Sequence, residues 1–262
     1  MIVVFWIALI GILGAIGVLI ALIVKNKRTP RWGVIPTDHL QKKEVSIIAR
    51  NQEKPYRGFL YQSTDFVESL PMPGMIVLPK RGTRYPAFEH WAAMLALQGF
   101  PVLAVELSDK KAPEQQYVDA VAGAVPAFKD VLVKTGKVIP SSIGIFGLGT
   151  SALAGVYASS TDPDVKIVCC SGMPKIDASR AKDVKGKIFI AQCKDDTAVP
   201  VEDFMHNKEV FGAGELSCLL LQYGGNDFIA QEAAISGFFS IAIHKTFKPR
   251  YKQFTPEGVV MP

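Results

Sequence analysis

The stretch IGIFGLGTSALAG, residues 143–155, joins an apolar run to a helix-like run through a glycine turn. Glycine permits the positive φ angles and close packing of a sharp turn, and such a turn can expose a nucleophilic side chain. Thr150 and Ser151 supply hydroxyl groups here. A serine hydroxyl is a weak nucleophile until an adjacent base activates it. The stretch therefore indicates nucleophilic catalysis only if a base is matched to it elsewhere in the chain.

Two further stretches accompany the first in a recognisable order: AQCKDDTAVPVEDF at 191–204 and LQYGGNDFI at 221–229. Through these three motifs, residues 44–246 resemble the α/β-hydrolase superfamily. The narrower resemblance is to the dienelactone hydrolases and to the C-terminal domain of acyl-CoA thioesterases and bile-acid-CoA:amino-acid acyltransferases. It implies a nucleophile on the strand-to-helix turn, an acid after a later strand and a histidine base after the last strand.

The resemblance also implies that the catalytic triad is degenerate. Gly147 matches the first glycine of the turn, Gly149 stands at the nucleophile position, and Ser151 stands where the second glycine belongs. Asp196 retains the acid position, but Asp227 occupies the histidine position. A carboxylate there could not shuttle a proton near neutral pH unless its pKa were strongly raised. No catalytic residue is therefore expected in this register.

Ser151 remains an alternative nucleophile if the turn is placed two residues later, although no base in the sequence matches it. Thr150 or Ser151 could instead cap the N-terminus of the following helix. None of the histidines lies in the loop after the last strand, and we interpret all of them as surface or packing residues: His39, His90, His206 and His244.

The loop KRGTRYP, which follows the apolar run GMIVLP, carries Lys80, Arg81 and Arg84. In the resembling fold this loop supplies a backbone donor to a developing oxyanion. Together with the helix N-terminus after the glycine turn, its charges could hold a carboxylate or phosphate. A solvated basic loop is the alternative, and Asp196 with Asp227 would either oppose an anion or offer a weak cation site. The pattern leaves these alternatives open.

The elements that must position these residues are apolar strands that alternate with helix-like segments. Short apolar runs predict strands at EVSIIAR, YRGFLYQS, GMIVLP, PVLAVEL, SIGIFG, VKIVCCSG, GKIFIAQC and LSCLLLQY. Helical spacing predicts a helix ending at Gly99, a second with a kink before Pro126, and others after residues 149, 201 and 228. This alternation predicts the α/β class, an α/β-hydrolase-like, mostly parallel sheet with helices on both faces.

Residues 1–24 carry no charge and are long enough to cross a hydrocarbon core of ~30 Å. We predict one transmembrane helix, since a cleaved signal peptide would need a basic start and a shorter apolar run. Basic residues follow at 25–31, so the positive-inside rule places the N-terminus outside and the domain on the cytoplasmic or matrix-equivalent side. Small residues four apart, such as Gly11 and Ala15, would let a partner helix approach in the membrane.

Composition divides the chain into four predicted segments. They are a transmembrane helix at 1–24, a basic polar linker at 25–43, an α/β-hydrolase-like domain at 44–250 and a C-terminal tail at 251–262. The net charge of +5 is partly clustered in the linker, so no nucleic-acid partner is predicted.

The cysteines lie in strand-like runs without a CxxC spacing, which predicts free thiols and neither disulfides nor a metal site: Cys169, Cys170, Cys193 and Cys218. No cofactor is expected.

These patterns lead to one functional hypothesis and one alternative. The hypothesis is a membrane-anchored protein of α/β-hydrolase fold that has lost its triad and acts as a binding or assembly subunit of a membrane complex, with protein partners. The alternative is a membrane-associated carboxylester or acyl-thioester hydrolase that uses Ser151. Loss at two positions within motifs that are otherwise recognisable favours the first.

Overall fold

A computed structural model of the chain describes residues 38–50, 54–64, 71–107, 111–223 and 232–247. The predicted transmembrane helix, most of the predicted linker, the C-terminal tail and Asp227 lie outside these residues. Within the described ranges, no helix is both long and apolar enough to cross a membrane.

The described residues form one sheet of eight strands in the order β1-β2-β4-β3-β5-β6-β7-β8. The pairs β1–β2 and β2–β4 are antiparallel, and the remaining pairs are parallel. The bounds of the strands are Leu40–Ile47 (β1), Tyr56–Ser63 (β2), Met72–Leu78 (β3), Val102–Glu106 (β4), Val138–Leu148 (β5), Val165–Ser171 (β6), Lys187–Cys193 (β7) and Leu216–Leu221 (β8). The central strands are almost wholly buried, which explains their continuous apolar sequences.

The helices of the described chain alternate with the parallel strands. Their bounds are Glu89–Leu97 (α1), Glu114–Val133 (α2), Thr150–Thr161 (α3), Ala178–Ala181 (α4), Val201–Glu215 (α5) and Glu232–Phe247 (α6). The predicted α/β class, with a mostly parallel sheet and helices on both of its faces, is confirmed.

The two faces of the sheet are packed by different side chains. On one face, the ring of Phe146 lies between Trp91 of α1 and Phe239 of α6, at centroid distances of 4.8 and 5.3 Å. On the other face, aliphatic strand residues such as Ile145 pack with residues of α2, α3 and α5, including Phe128. Both layers are buried, so the carboxyl ends of the strands are held by a continuous core.

Two element boundaries differ from the sequence prediction. β1 begins at Leu40, inside the segment predicted as linker, because Leu40 pairs with Ser63 and the polar residues after it continue an antiparallel edge. α2 runs through Pro126 as one helix. The end of α1 agrees with the prediction, since Gly99 has a positive φ of 93° and its N–H donates to the carbonyl of Ala96.

All cysteines of the chain are free thiols, as predicted. Cys169, Cys170 and Cys193 are buried and Cys218 is half-buried. Burial raises the pKa of Cys169, Cys170 and Cys218, so these thiols are protonated and unreactive near neutral pH.

Candidate functional site

The turn between β5 and α3 has Gly149 at its tip. β5 ends at Leu148 and α3 begins at Thr150, and Gly149 between them has φ 58° and ψ −133°. The Gly149 N–H donates to the carbonyl of Ser171 at 3.0 Å, and its carbonyl accepts the N–H of Ala152 at 2.9 Å. This is the sharp strand-to-helix turn on which the fold exposes a nucleophile, with a positive φ that residues bearing a Cβ rarely adopt.

The two glycines of this turn differ in the space around them. A Cβ added at Gly147 would lie 2.5 Å from the Cα of Ala152, so any side chain would collide with the backbone of α3. A Cβ added at Gly149 would meet, among the residues described, the Cγ of Lys80 alone, at an ordinary contact distance of 3.8 Å. Gly147 permits strand and helix to pack closely, whereas among the described residues nothing fills the space that a side chain at the tip would occupy.

Ser151 lies in the first turn of α3 with no exposed surface. Its Oγ is 2.7 Å from the hydroxyl oxygen of Tyr117 on α2, so one hydroxyl donates to the other. The prediction that Thr150 or Ser151 caps α3 is wrong, because the N-cap residue is Gly149, which has no side chain, and no side-chain cap forms. Since the Ser151 hydroxyl bonds to α2 and is buried, a substrate in solvent cannot reach it in this conformation.

The acid position, Asp196, lies in the turn after β7 and is 7% exposed. Its Oδ1 accepts the backbone N–H groups of Ala198 at 2.8 Å and Val199 at 3.1 Å. Gln192, fully buried on β7, donates from Nε2 to the carbonyl of Val199 at 2.6 Å. A carboxylate that accepts two N–H groups of its own loop fixes the shape of that loop. Asp196 therefore has a structural task whether or not it orients a base.

The glycine turn and the acid turn lie at the same edge of the sheet, because both follow the carboxyl ends of parallel strands. β6 separates β5 from β7 in the sheet order. At ~4.8 Å per strand, roughly 10 Å of sheet lies between the two turns. The third position of the resemblance, Asp227, follows β8 but falls outside the described residues.

The basic loop between β3 and α1 does not act as one charged group. Lys80 is exposed, and its Cγ lies beside the tip of the glycine turn. Arg81 instead places its guanidinium 4.6 Å from the centroid of the Tyr117 ring and donates to the carbonyl of Ala112. Arg84 is exposed. Of the three predicted anion-binding residues, Lys80 therefore lies beside the turn, Arg81 contacts Tyr117 and Ala112, and Arg84 is exposed.

The histidines with described side chains are surface or packing residues. His39 is exposed immediately before β1, and His90 is buried edge-on against Trp91, with ring centroids 5.6 Å apart. A ring nitrogen of His206 lies 2.9 Å from the carbonyl oxygen of Ile176. In the described part of the chain, no group of three or more His, Cys, Asp or Glu side chains could hold a metal ion.

Comparisons with known proteins agree with this architecture. No protein-family profile and no curated protein matches the sequence. A solved structure from Klebsiella pneumoniae subsp. pneumoniae, described as a dienelactone hydrolase, superposes with a TM-score of 0.66 at 11% identity, over 80% of this chain and 99% of that one. A dienelactone hydrolase-like promiscuous phosphotriesterase from metagenomic libraries gives the same TM-score and the same coverage at 16% identity. The chain therefore has the α/β-hydrolase fold and is similar in structure to dienelactone hydrolases.

Proposed function

We propose that this chain is a membrane-anchored protein of α/β-hydrolase fold without hydrolase activity, and that it acts as a binding or assembly subunit of a membrane complex. One observation carries the proposal: the turn between β5 and α3 keeps the strained backbone of a nucleophile-bearing turn, and its tip residue is Gly149. Glycine offers no atom that can attack a carbonyl carbon. A preserved scaffold without its reactive group supports a role in binding.

The surroundings of the turn support the same conclusion. Covalent acyl transfer needs a nucleophile within hydrogen-bond reach of a base. In the first turn of α3, close to Gly149, the buried hydroxyl is that of Ser151. It forms a hydrogen bond with the hydroxyl of Tyr117. Tyrosine, with an ordinary pKa near 10, is a poor general base at neutral pH. The pair holds α2 against α3 and does not activate an alcohol.

The alternative function, a carboxylester or acyl-thioester hydrolase that uses Ser151, would require two rearrangements. The first turn of α3 would have to expose Ser151, which has no accessible surface, and the Tyr117 contact would have to be replaced by a contact with a base. Either change breaks a buried hydrogen bond, which costs about 1–3 kcal/mol when one partner is left unsatisfied. Labelling of Ser151 by an active-site probe distinguishes this alternative from the proposed function.

The catalytic part of the proposal is tested with a fluorophosphonate probe on the full-length protein in detergent. We expect no labelling of the wild type, of Ser151→Ala or of the matched variant Ser159→Ala. Ser159 lies in the same helix, is equally buried and bonds to the Val156 carbonyl at 2.7 Å. Labelling that is kept in Ser159→Ala but lost in Ser151→Ala would replace the proposal with the hydrolase alternative.

The anchor part of the proposal rests on the uncharged segment 1–24 and the basic residues that follow it. The full chain should stay in the membrane fraction through an alkaline carbonate wash, and a chain that lacks residues 1–24 should be released. Protease added to sealed membranes should leave the domain intact, since we place it on the cytoplasmic or matrix-equivalent side. A carbonate-soluble full chain would contradict the anchor.

The assembly part predicts a second polypeptide at a fixed ratio. The protein, solubilised from its native membrane in mild detergent, should carry this polypeptide through affinity purification and a later size-exclusion step. Recovery of the chain without a second polypeptide would contradict assembly with other proteins, and it would leave the labelling result and the anchor unaffected.

A further inference from the structure

The two edges of the sheet are protected to different degrees. The outer strand β1, LQKKEVSI, carries Lys42, Lys43 and Glu44. The opposite outer strand β8, LSCLLL, carries neither charge nor proline. In the described part of the chain β8 pairs on one side alone, with β7. Natural proteins place charges, prolines or bulges on exposed edges because a bare edge pairs with other strands. The uncharged, proline-free sequence of β8 is typical of a strand whose outer edge is paired with another strand.

The backbone of β8 presents hydrogen-bonding groups outward. The carbonyl of Leu221 accepts the N–H of Lys194 at 2.9 Å, so the polar groups of Leu221 face the β7 side. Because these groups alternate in direction along a strand, the N–H and C=O groups of Leu216, Cys218 and Leu220 face away from β7. A second strand could therefore pair with β8 without any change of its conformation.

The helix that packs over β7 and β8 presents a self-complementary stripe beside this edge. The residues that line a groove between α5 and β8 include Glu202, Met205, Lys208, Glu209, Leu216 and Cys218. Met205 is a large apolar side chain that is 54% exposed. Glu202 precedes it by one helical turn and Lys208 follows it by the same interval, and both are exposed. A two-fold axis through Met205 would place each glutamate opposite the lysine of the other copy.

We propose that a second copy of this chain pairs with β8 in a two-fold symmetric dimer, in which β8 lies antiparallel to its counterpart and the two α5 helices pack across Met205. Such an interface is isologous, so every contact is made twice. The proposal goes beyond the assembly role above and does not depend on it, because an active hydrolase could pair in the same way.

A simple distance supports this geometry. Adjacent strands lie ~4.8 Å apart, and α5 packs against both β7 and β8, so we place its axis over the space between them. Joining two β8 edges then places the two α5 axes about 10 Å apart, at the upper end of the 8–10 Å range at which helices pack. Strand pairing and helix packing are thus satisfied by a single arrangement.

The strand contact is tested by adding a charged side chain to β8, since β1 already carries such side chains. Ser217 is exposed on β8, and Ser46 is exposed on β1, so Ser217→Lys and Ser46→Lys are the same substitution on opposite edges. Full-length protein in detergent is measured by light scattering coupled to size exclusion. We expect wild type and Ser46→Lys to be dimeric and Ser217→Lys to dissociate with a dimer Kd raised at least roughly tenfold. Circular dichroism checks that both variants are folded.

The helix contact is tested by charge exchange and by cross-linking. Lys208→Glu should weaken the dimer about tenfold, because two attractive pairs become repulsive, and Glu202→Lys in the same chain should restore it. Met205→Cys should cross-link to itself with a short bismaleimide. Glu202→Cys and Lys208→Cys should each cross-link weakly alone and strongly when mixed.

A wild-type monomer would overturn the proposal. So would a dimer that is equally stable in Ser217→Lys and Ser46→Lys, since its contact would then lie elsewhere, for example in the predicted transmembrane helix. Neither result would change the fluorophosphonate labelling or the presence of a second polypeptide, so failure of this proposal is distinguishable from failure of the proposed function.

Discussion

Two turns lie at one edge of the sheet, and the resemblance assigns to them the nucleophile position and the acid position of a hydrolase. At the glycine turn, the strand-to-helix turn is sharp and its tip is Gly149, which has no side chain. At the acid turn, the side chain of Asp196 is kept, and it accepts two N–H groups of its own loop. The comparison teaches that an aspartate at the acid position is by itself no sign of activity, because the hydrogen bonds of Asp196 hold the turn that carries it.

The glycine turn should be broken most severely by a side chain at Gly147. Gly147→Ala places a Cβ 2.5 Å from the Cα of Ala152. Because Ala152 belongs to α3, its backbone can move away only if the helix shifts. We expect a loss of about 3 kcal/mol in the free energy of unfolding, the upper range for overpacking. Urea denaturation followed by circular dichroism measures it.

Gly123→Ala on α2 is the matched control for this substitution, because an added Cβ meets nothing within 4 Å among the described residues. Alanine is favoured over glycine inside a helix, so the control should be neutral or up to about 1 kcal/mol more stable. Equal stability of the two variants would show that α3 does not pack on Gly147 as closely as described.

The acid turn should be broken by loss of its carboxylate. Asp196→Ala removes the acceptor of two N–H groups, of which that of Val199 is buried, and we expect a cost of about 2 kcal/mol. Asp196→Asn keeps an oxygen acceptor and should cost less than about 1 kcal/mol. Hydrogen exchange at Ala198 and Val199 should accelerate in the alanine variant. Unchanged stability and exchange in Asp196→Ala would mean that the residue is retained for another purpose.

Local spacing made the glycine turn predictable, because the glycines, the apolar strand and the helix all lie within residues 143–155. The contact between Tyr117 and Ser151 was not predictable, since the residues are 34 positions apart and no short pattern links two hydroxyls on different helices. The bracing of the acid loop by Gln192 was missed for a similar reason, because one polar residue in an apolar strand does not reveal its partner. The same applies to the start of β1, because the polar residues of a sheet edge have the composition of a linker.

The tip of the glycine turn should tolerate a side chain better than its first glycine does. Gly149→Ala introduces a Cβ into a backbone with φ 58°, which we expect to cost about 1–2 kcal/mol from strain alone. Gly136→Ala is the control: its φ is 72°, and an added Cβ there meets nothing within 4 Å among the described residues, whereas one at Gly149 makes only the ordinary 3.8 Å contact with Lys80. The two thermal unfolding shifts should agree. A much larger cost at Gly149 would indicate that the space above the tip is filled.

The smallest effect should come from Ser151, and it decides how the glycine turn is to be interpreted. Ser151→Ala leaves Tyr117 without its 2.7 Å partner, and Tyr117→Phe does the reverse, so each should cost about 1 kcal/mol. The double variant should cost about 0.5–1 kcal/mol less than the sum of the two single variants. The reason is that it removes both hydroxyls, so neither is left buried without its partner. Urea denaturation of the four proteins gives this coupling. Strict additivity would mean that the two hydroxyls do not depend on one another, whereas coupling makes Ser151 part of the scaffold, as Asp196 is at the other turn.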